Sequence, residues 1–212
     1  MRIAIIGAGN VGGGLAGAAT AAGHDVVLSA STPASAQETA AKTGATAAGG
    51  NAEAVRGADI VVLAVPGSIA ADVAAELGDA LDGTVVIDAT NPLNATYSDL
   101  TTSGESAAEA LQARVPGARV VKALNTVFAS RYGNTAENGR PLDALVAGDD
   151  EDAKAAVSAL IGSIGFNAVD AGSLRMARTL EEIAFLNISL NARNGWTWQS
   201  AFQLVGPTSK AA

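Results

Sequence analysis

Short runs of apolar residues recur along this chain at strand length, and stretches with helical spacing separate them. The runs are Ile3–Ile6, Val26–Leu28, Ile60–Val65, Val85–Ile87, Val120–Ala123, Leu142–Val146 and a weaker Asn167–Val169. Between most of them lie the alanine-rich segments Val11–Ala22, Ala34–Thr43, Ile69–Leu81, Ser106–Ala113 and Asp152–Ile164. A strand that is apolar at every position has both faces buried, which happens where helices cover both sides of a parallel sheet. The alternation therefore predicts an α/β fold, doubly wound, with a mostly parallel sheet of about eight strands. Gly23 as a helix C-cap, Pro66-Gly67 as a strand stop and Gly148-Asp149-Asp150 as a helix start punctuate the pattern where it needs breaks.

The first strand and first helix are joined by Gly-Ala-Gly-Asn-Val-Gly, residues 7–12. In a chain with 24 glycines such spacing arises by chance, so its context decides. Here Gly7, Gly9 and Gly12 follow a buried-strand pattern and open a helix pattern. Gly7 suits the tight turn, Gly9 the approach of a pyrophosphate to bare backbone, and Gly12 the close packing of helix on strand. Asn10 and Val11, in the first helical turn, bring free N–H groups and the positive end of the helix dipole to the same place. The reading is a Rossmann-type dinucleotide site.

Selection between NAD and NADP falls about 20 residues beyond the glycines, to an acidic residue or to an arginine. The second strand instead runs into Ser29-Ala30-Ser31-Thr32. No carboxylate repels a 2′-phosphate there and no guanidinium grips it. Ser29, Ser31 and Thr32 offer hydroxyls, and a serine-rich helix cap is the competing use for them. The expectation is NADP, with NAD still possible.

Composition narrows the chemistry. With a formal net charge of −8 and only 4% aromatic residues, the chain has neither the basic footprint nor the stacking platforms of a nucleic-acid binder, and no basic surface for an anionic membrane. There is no cysteine and a single histidine, His24, so thiolate catalysis and a His-rich metal site are excluded and redox chemistry must come from a bound cofactor; no metal is expected. The apolar start is shorter than a signal-peptide core, and no run reaches the roughly 18 residues of a membrane span, so a cytoplasmic protein is expected. Beyond Asp170 the pattern becomes one longer helix, about Leu174 to Arg193, and a tail holding both tryptophans, Trp196 and Trp198. Residues 1–172 read as the nucleotide-binding domain, and 173–212 as a helix and tail packing on it and at a homodimer interface, the last residues frayed. The tryptophans suit that interface or a lid over a second ring.

Several segments together resemble one family: MRIAIIGAGNVGGGLA, GADIVVLAVP, VVIDATNPLN, ARVVKALNTVFA, ALVAGDDEDAKAAVSALIGSIGFNAVDAGSL and ARTLEE, in that order. They follow the pattern of NADP-dependent coenzyme F420 oxidoreductases, and are similar also to the cytoplasmic reductase domain of STEAP-type metalloreductases. The resemblance implies hydride transfer between the nicotinamide of NADP(H) and a deazaflavin (coenzyme F420) or a flavin (FMN or FAD). It also implies that Val65-Pro66 and Thr90-Asn91-Pro92 flank the nicotinamide, and that the segment from Leu124 through Asn125, Thr126 and Val127 lines the pocket of the partner ring. Two positions depart from the family pattern: Ala30-Ser31 stands where members commonly have Ser-Arg, and Asn125 where deazaflavin-using members have histidine.

Hydride transfer between two stacked rings requires no side-chain nucleophile, which suits a chain with so few reactive groups. His24 reads as a structural donor near helix carbonyls, Asp88, Asp149 and Asp170 as turn or cap residues, and Lys122 as a solvated surface lysine. Two other readings stay open on the residues alone. One is an NADPH-dependent reductase of another small acceptor (imine, carbonyl, quinone or metal complex); the other is a non-catalytic dinucleotide-binding module.

Overall fold

The computed structural model describes residues 1–206; the expectation of a frayed C-terminus falls on residues 207–212, outside the described residues. Eight strands form one sheet: β1 (Arg2–Ile6), β2 (Asp25–Ser29), β3 (Thr46–Ala47), β4 (Ile60–Leu63), β5 (Val85–Asp88), β6 (Arg119–Ala123), β9 (Asp143–Gly148) and β10 (Asn167–Gly172). The two remaining strands, β7 (Ala136–Glu137) and β8 (Arg140–Pro141), make a separate hairpin. The helices are α1 (Asn10–Ala21), α2 (Pro33–Thr43), α3 (Asn51–Ala54), α4 (Gly67–Leu77), α5 (Ala107–Arg114), α6 (Glu151–Ser163) and α7 (Ala177–Asn194).

The sheet runs β10-β9-β6-β5-β4-β1-β2-β3. Every pairing in it is parallel except β6 with β9, where Lys122 lies opposite Ala147. From β3 to β6 this is the strand order of a Rossmann domain, with the order reversing between β1 and β4. At that reversal the connections leave β1 and β4 toward opposite faces, so their C-terminal ends border a crevice.

Alternation along each strand feeds two cores. Ile3, Ile5, Val62 and Ile87 point to one face and meet Leu15, Ala16 and Ala19 of α1, whereas Ala4, Ile6, Val61 and Val86 point to the other and meet Leu77 and Leu111. Each fully buried Ile, Leu or Val contributes about 1.5–3 kcal/mol. Small residues let the helices close in: a Cβ on Gly13 would sit 3.2 Å from Thr39 of α2, and one on Gly14 would sit 2.9 Å from the Tyr132 ring.

The elements differ from the sequence reading at three places. β4 stops at Leu63, so Val65 already belongs to the loop. β3 and the hairpin are two-residue strands, too short to leave an apolar run in the sequence. The last helix is preceded by a separate 3-10 turn, Leu174–Met176, and extends to Asn194. Among the described residues no helix is long and apolar enough to cross a membrane.

Candidate dinucleotide and hydride-transfer site

The three glycines of the first turn do three different things. Gly7 has φ +117°, and a Cβ there would lie 2.3 Å from the Ala64 carbonyl oxygen, so both conformation and crowding demand glycine. A Cβ on Gly12 would lie 1.9 Å from the Gly7 carbonyl oxygen. Gly9 is unlike both: its φ of −72° is open to any residue, and a Cβ there meets no protein atom within 4 Å. It leaves bare backbone at the start of α1, whose first turn has no side-chain cap. That is the donor set a pyrophosphate needs. α4 also starts without a side-chain cap, at Pro66, whereas α2, α5 and α6 are capped by Thr32, Ser106 and Asp150. α3 and α7 also lack a side-chain cap, but of the uncapped starts it is those of α1 and α4 that stand at the crevice.

A cleft of about 520 Å³ opens there, lined by Val11, Ala64 to Ser68, Ala89 to Asn91, Leu93 to Ala95, Tyr97 and Thr101. The loops after β4 and β5 touch through their backbones: a Cβ on Gly67 would lie 2.3 Å from the Asn91 carbonyl oxygen. Val65, Pro66, Thr90 and Asn91 thus share one wall, with Pro92 buried directly behind Asn91. Among the described residues no charged side chain lines the cleft.

Asn125, Thr126 and Val127, expected to line a pocket, are each more than nine-tenths buried and stand one layer behind this wall. Leu124 causes the shift. Its φ of +64° turns the chain back at the end of β6. Asn125 Nδ2 then donates to Asn91 Oδ1 (3.0 Å) and to the Leu180 carbonyl of α7 (3.0 Å), and Asn91 Nδ2 donates to the Asn125 carbonyl (2.9 Å). A left-handed, fully buried leucine is a local cost of order 1–3 kcal/mol, sustained by the packing around it. Thr90 Oγ1, Asn125 Oδ1 and Thr126 Oγ1 are buried here with no protein partner.

Beneath the wall is a cluster the sequence reading missed. Lys122, expected in solvent, is fully buried. Its Nζ donates to Asp88 Oδ2 (2.9 Å), the Thr90 carbonyl (2.8 Å) and Glu181 Oε1 of α7 (2.9 Å). Asp88 Oδ1 takes the Thr90 N–H (2.9 Å), so the Lys122–Asp88 pair grips both backbone groups of Thr90. Burial, and secondarily the Asp88 charge, hold the Glu181 carboxyl above its ordinary value, against the opposing pull of Lys122. The missed signal was positional: Lys122 sits mid-strand in an otherwise apolar run, and α7 buries Glu181, Asn187 and Asn191 while leaving Leu186 half exposed.

Other expected residues fall as follows. Ser29 is buried and its hydroxyl donates to Asn51 Oδ1 (2.7 Å), which removes it from the set facing outward. Thr32 caps α2 by accepting from Ser35 N (3.2 Å), and Ser31 is exposed. Asp88 serves a turn, as expected, and an ion pair as well. Asp149 takes the Leu174 N–H (2.9 Å), Asp150 rather than Asp149 caps α6, and Asp170 pairs with Lys154 (2.9 Å). His24 lies 2.8 Å from Ser163 Oγ, and desolvation followed by the N-terminal ammonium lowers its pKa. Trp198 packs edge-on against Phe128 (5.6 Å, 80°), and neither tryptophan lines the cleft.

A Rossmann fold with a glycine cradle at its reversal point and an uncharged cleft beside it defines a dinucleotide-binding oxidoreductase. Comparison with known proteins gives the family. The profile of the family described as "NADP oxidoreductase coenzyme F420-dependent" matches residues 2–92. The F420-dependent NADP reductase of Methanothermobacter thermautotrophicus is 34% identical over 217 aligned positions, covering 92% of this chain and 90% of that one. A crystal structure from Arthrobacter sp. FB24, provisionally described as an F420-dependent NADP reductase, superposes with a TM-score of 0.88 at 28% identity, covering 97% of this chain and all of the other. The metalloreductase STEAP3 of Rattus norvegicus is 35% identical over 107 residues, half of this chain and 21% of that protein. The chain belongs to the F420-dependent NADP reductase family and is an NAD(P)-dependent oxidoreductase.

Proposed function

We propose that the chain transfers hydride between the nicotinamide of NADP(H) and the deazaflavin ring of coenzyme F420. The observation that carries this is the pairing of Gly9, glycine for no reason internal to the protein, with an adjoining cleft that offers no charged side chain. Gly7, Gly9, Asn10, Val11 and Gly12 would hold the pyrophosphate, Ser31 the ribose phosphate, and Val65, Pro66, Thr90 and Asn91 the nicotinamide. When bound, the nicotinamide supplies or accepts the hydride and the second ring is its counterpart. The protein's share is alignment of two rings and exclusion of water, since nothing lining the cleft can serve as a charged acid or base. The relatives named F420-dependent NADP reductase support the same choice of second substrate.

A flavin is the second reading, favoured by the resemblance, in which Asn125 stands where deazaflavin-using members have histidine. Mixing the protein with NADPH and, in separate cuvettes, oxidised F420, FMN or FAD, then following absorbance, decides between them. We expect turnover with F420. Turnover with a flavin alone replaces the first reading by the second, and NADPH binding without turnover of any acceptor overturns both.

The chain also reads as a cytoplasmic homodimer. α7 and the tail expose Leu186, Trp196, Trp198, Phe202, Leu204 and Val205, apolar side chains that a second copy would cover. Light scattering at micromolar concentration is expected to give twice the chain mass; a monomer would refute the assignment.

A further inference from the structure

Pro92 leads into a loop that closes on itself. Leu93 and Leu100 pair as an antiparallel bridge, Asn94 N–H donates to the Asp99 carbonyl (2.9 Å), and Thr101 donates its N–H and hydroxyl to the Pro92 carbonyl (2.7 and 3.0 Å). Inside the loop, Asn94 Oδ1 accepts from Thr96 N–H (3.2 Å), Thr96 Oγ1 (3.0 Å) and Ser98 N–H (2.9 Å). This is a pre-formed element, not a slack connection.

Tyr97 stands at its apex, and the fold has no use for a tyrosine there. The residue takes φ +56°, a conformation asparagine or glycine would occupy with less strain, and its side chain is 68% exposed. Its hydroxyl bonds no protein group among the described residues. By contrast, Asn138 at φ +50° does the same backbone work in the β7–β8 hairpin with the residue type such a turn prefers. What sets Tyr97 apart is its place: it lines the cleft together with Val11, Val65 and Pro66, and it is the one aromatic side chain that does.

We propose that Tyr97 is the stacking wall for the second substrate, covering the face of its planar ring that is turned away from the nicotinamide. This rests on the hydride-transfer reading above. A conjugated ring that presents one face to its hydride partner leaves the other exposed, and an aromatic side chain on a rigid loop covers that face with little loss of conformational freedom. The apolar inner residues, Val11, Val65 and Pro66, remain for the nicotinamide.

The test uses the full chain and measures the KM for oxidised F420 at saturating NADPH, the Kd of NADPH from its own fluorescence, and the melting temperature. Tyr97→Ala is expected to raise the KM for F420 about tenfold, the lower part of the range for loss of one aromatic stacking partner, with NADPH affinity unchanged. Tyr97→Phe should keep the wild-type KM, because the ring and not the hydroxyl is used. Tyr97→Gly should match Tyr97→Ala in KM while melting no lower than wild type, since glycine accepts the left-handed backbone without strain. A wild-type KM in Tyr97→Ala, or a loss confined to NADPH affinity, overturns the assignment. A wild-type protein that passes no hydride between NADPH and F420 overturns the underlying reading and this one with it, and shows itself before any variant is made.

Discussion

The two walls of the cleft are built by opposite means. On the β1 side the site is backbone: three glycines within six residues, an uncapped helix start, and backbone carbonyls of Gly7 and Ala64 packed where side chains would otherwise stand. On the β5–β6 side it is side chains brought together from afar: Lys122 bonds both Asp88 and Glu181, 34 and 59 positions away, and Asn125 bonds Asn91, 34 positions away. A backbone site has few ways to fail and no charge to titrate. A side-chain site depends on burial, ion pairing and the placement of α7, and it can be loosened one contact at a time.

Removing Lys122 should give the largest effect and separate the two walls. Lys122→Met leaves Asp88 and Glu181 buried without their cation, a loss of roughly 3–5 kcal/mol for breaking a buried pair from one side. Urea unfolding is the measurement. The triple change Lys122→Met, Asp88→Asn, Glu181→Gln removes the charges together and should recover a large part of the loss. A single variant as stable as wild type would mean that the cluster does not hold the wall.

The glycines should split in the same experiment. Gly12→Ala drives a Cβ to 1.9 Å from the Gly7 carbonyl oxygen and should cost about 3 kcal/mol, the upper part of the usual overpacking range. Gly9→Val meets no protein atom at its Cβ, so stability should stay within about 0.5 kcal/mol. NADPH affinity should nevertheless fall by about a hundredfold, or 2.7 kcal/mol, because bare backbone is what the site offers. Unchanged NADPH binding in Gly9→Val would remove the cradle from the site.

This contrast also explains what could be read from the sequence. The cradle was legible because its glycines, its strand and its helix are local, and periodicity places them without knowing the fold. The doubly wound, mostly parallel sheet followed from apolar runs long enough to register. The far wall was not legible in the same way. Lys122 in an apolar strand could be understood only with Glu181 beside it, and no local pattern pairs residues 59 positions apart. Asn125 stands one layer further back than the sequence reading puts it, since the left-handed turn at Leu124 comes from packing and not from residue type. Tyr97 was passed over because a lone tyrosine in a polar loop looks like any other.

Acid should loosen the far wall and spare the near one. Glu109 of α5 meets Arg178 of α7 through two 2.8 Å bonds, and those bonds first, with the Ser106 cap aiding against desolvation, lower its pKa from 4.5 to about 2. The folded pKa lies below the unfolded one, so this stabilisation is fully present above about pH 4.5 and is lost as pH falls toward 2. Glu109→Gln keeps a side chain able to complete the Ser106 capping box, and so isolates the charge. The variant should be less stable than wild type at pH 7 and should lose stability less steeply between pH 4.5 and 2.5. Equal slopes in urea titrations would show that the pair contributes nothing to the α5–α7 contact.

The smallest expected effect is a gain, and it comes from adding a charge to the backbone wall, which has none. Thr32 already spends its hydroxyl oxygen on the α2 cap and Ser29 is turned inward, which leaves Ser31 exposed where the reading places the ribose phosphate. Hydroxyls and a helix start can hold a 2′-phosphate, but a guanidinium binds it with two parallel charge-assisted bonds. Ser31→Arg on an exposed position should cost little stability and should raise the ratio of NADP to NAD affinity about tenfold, roughly 1.4 kcal/mol. The gain should shrink as salt is raised, because the new contact is a solvent-exposed charge pair. NAD affinity should not move. If NADP affinity fails to rise while NAD affinity holds, the 2′-phosphate does not lie against Ser31, and discrimination must come from elsewhere on the near wall.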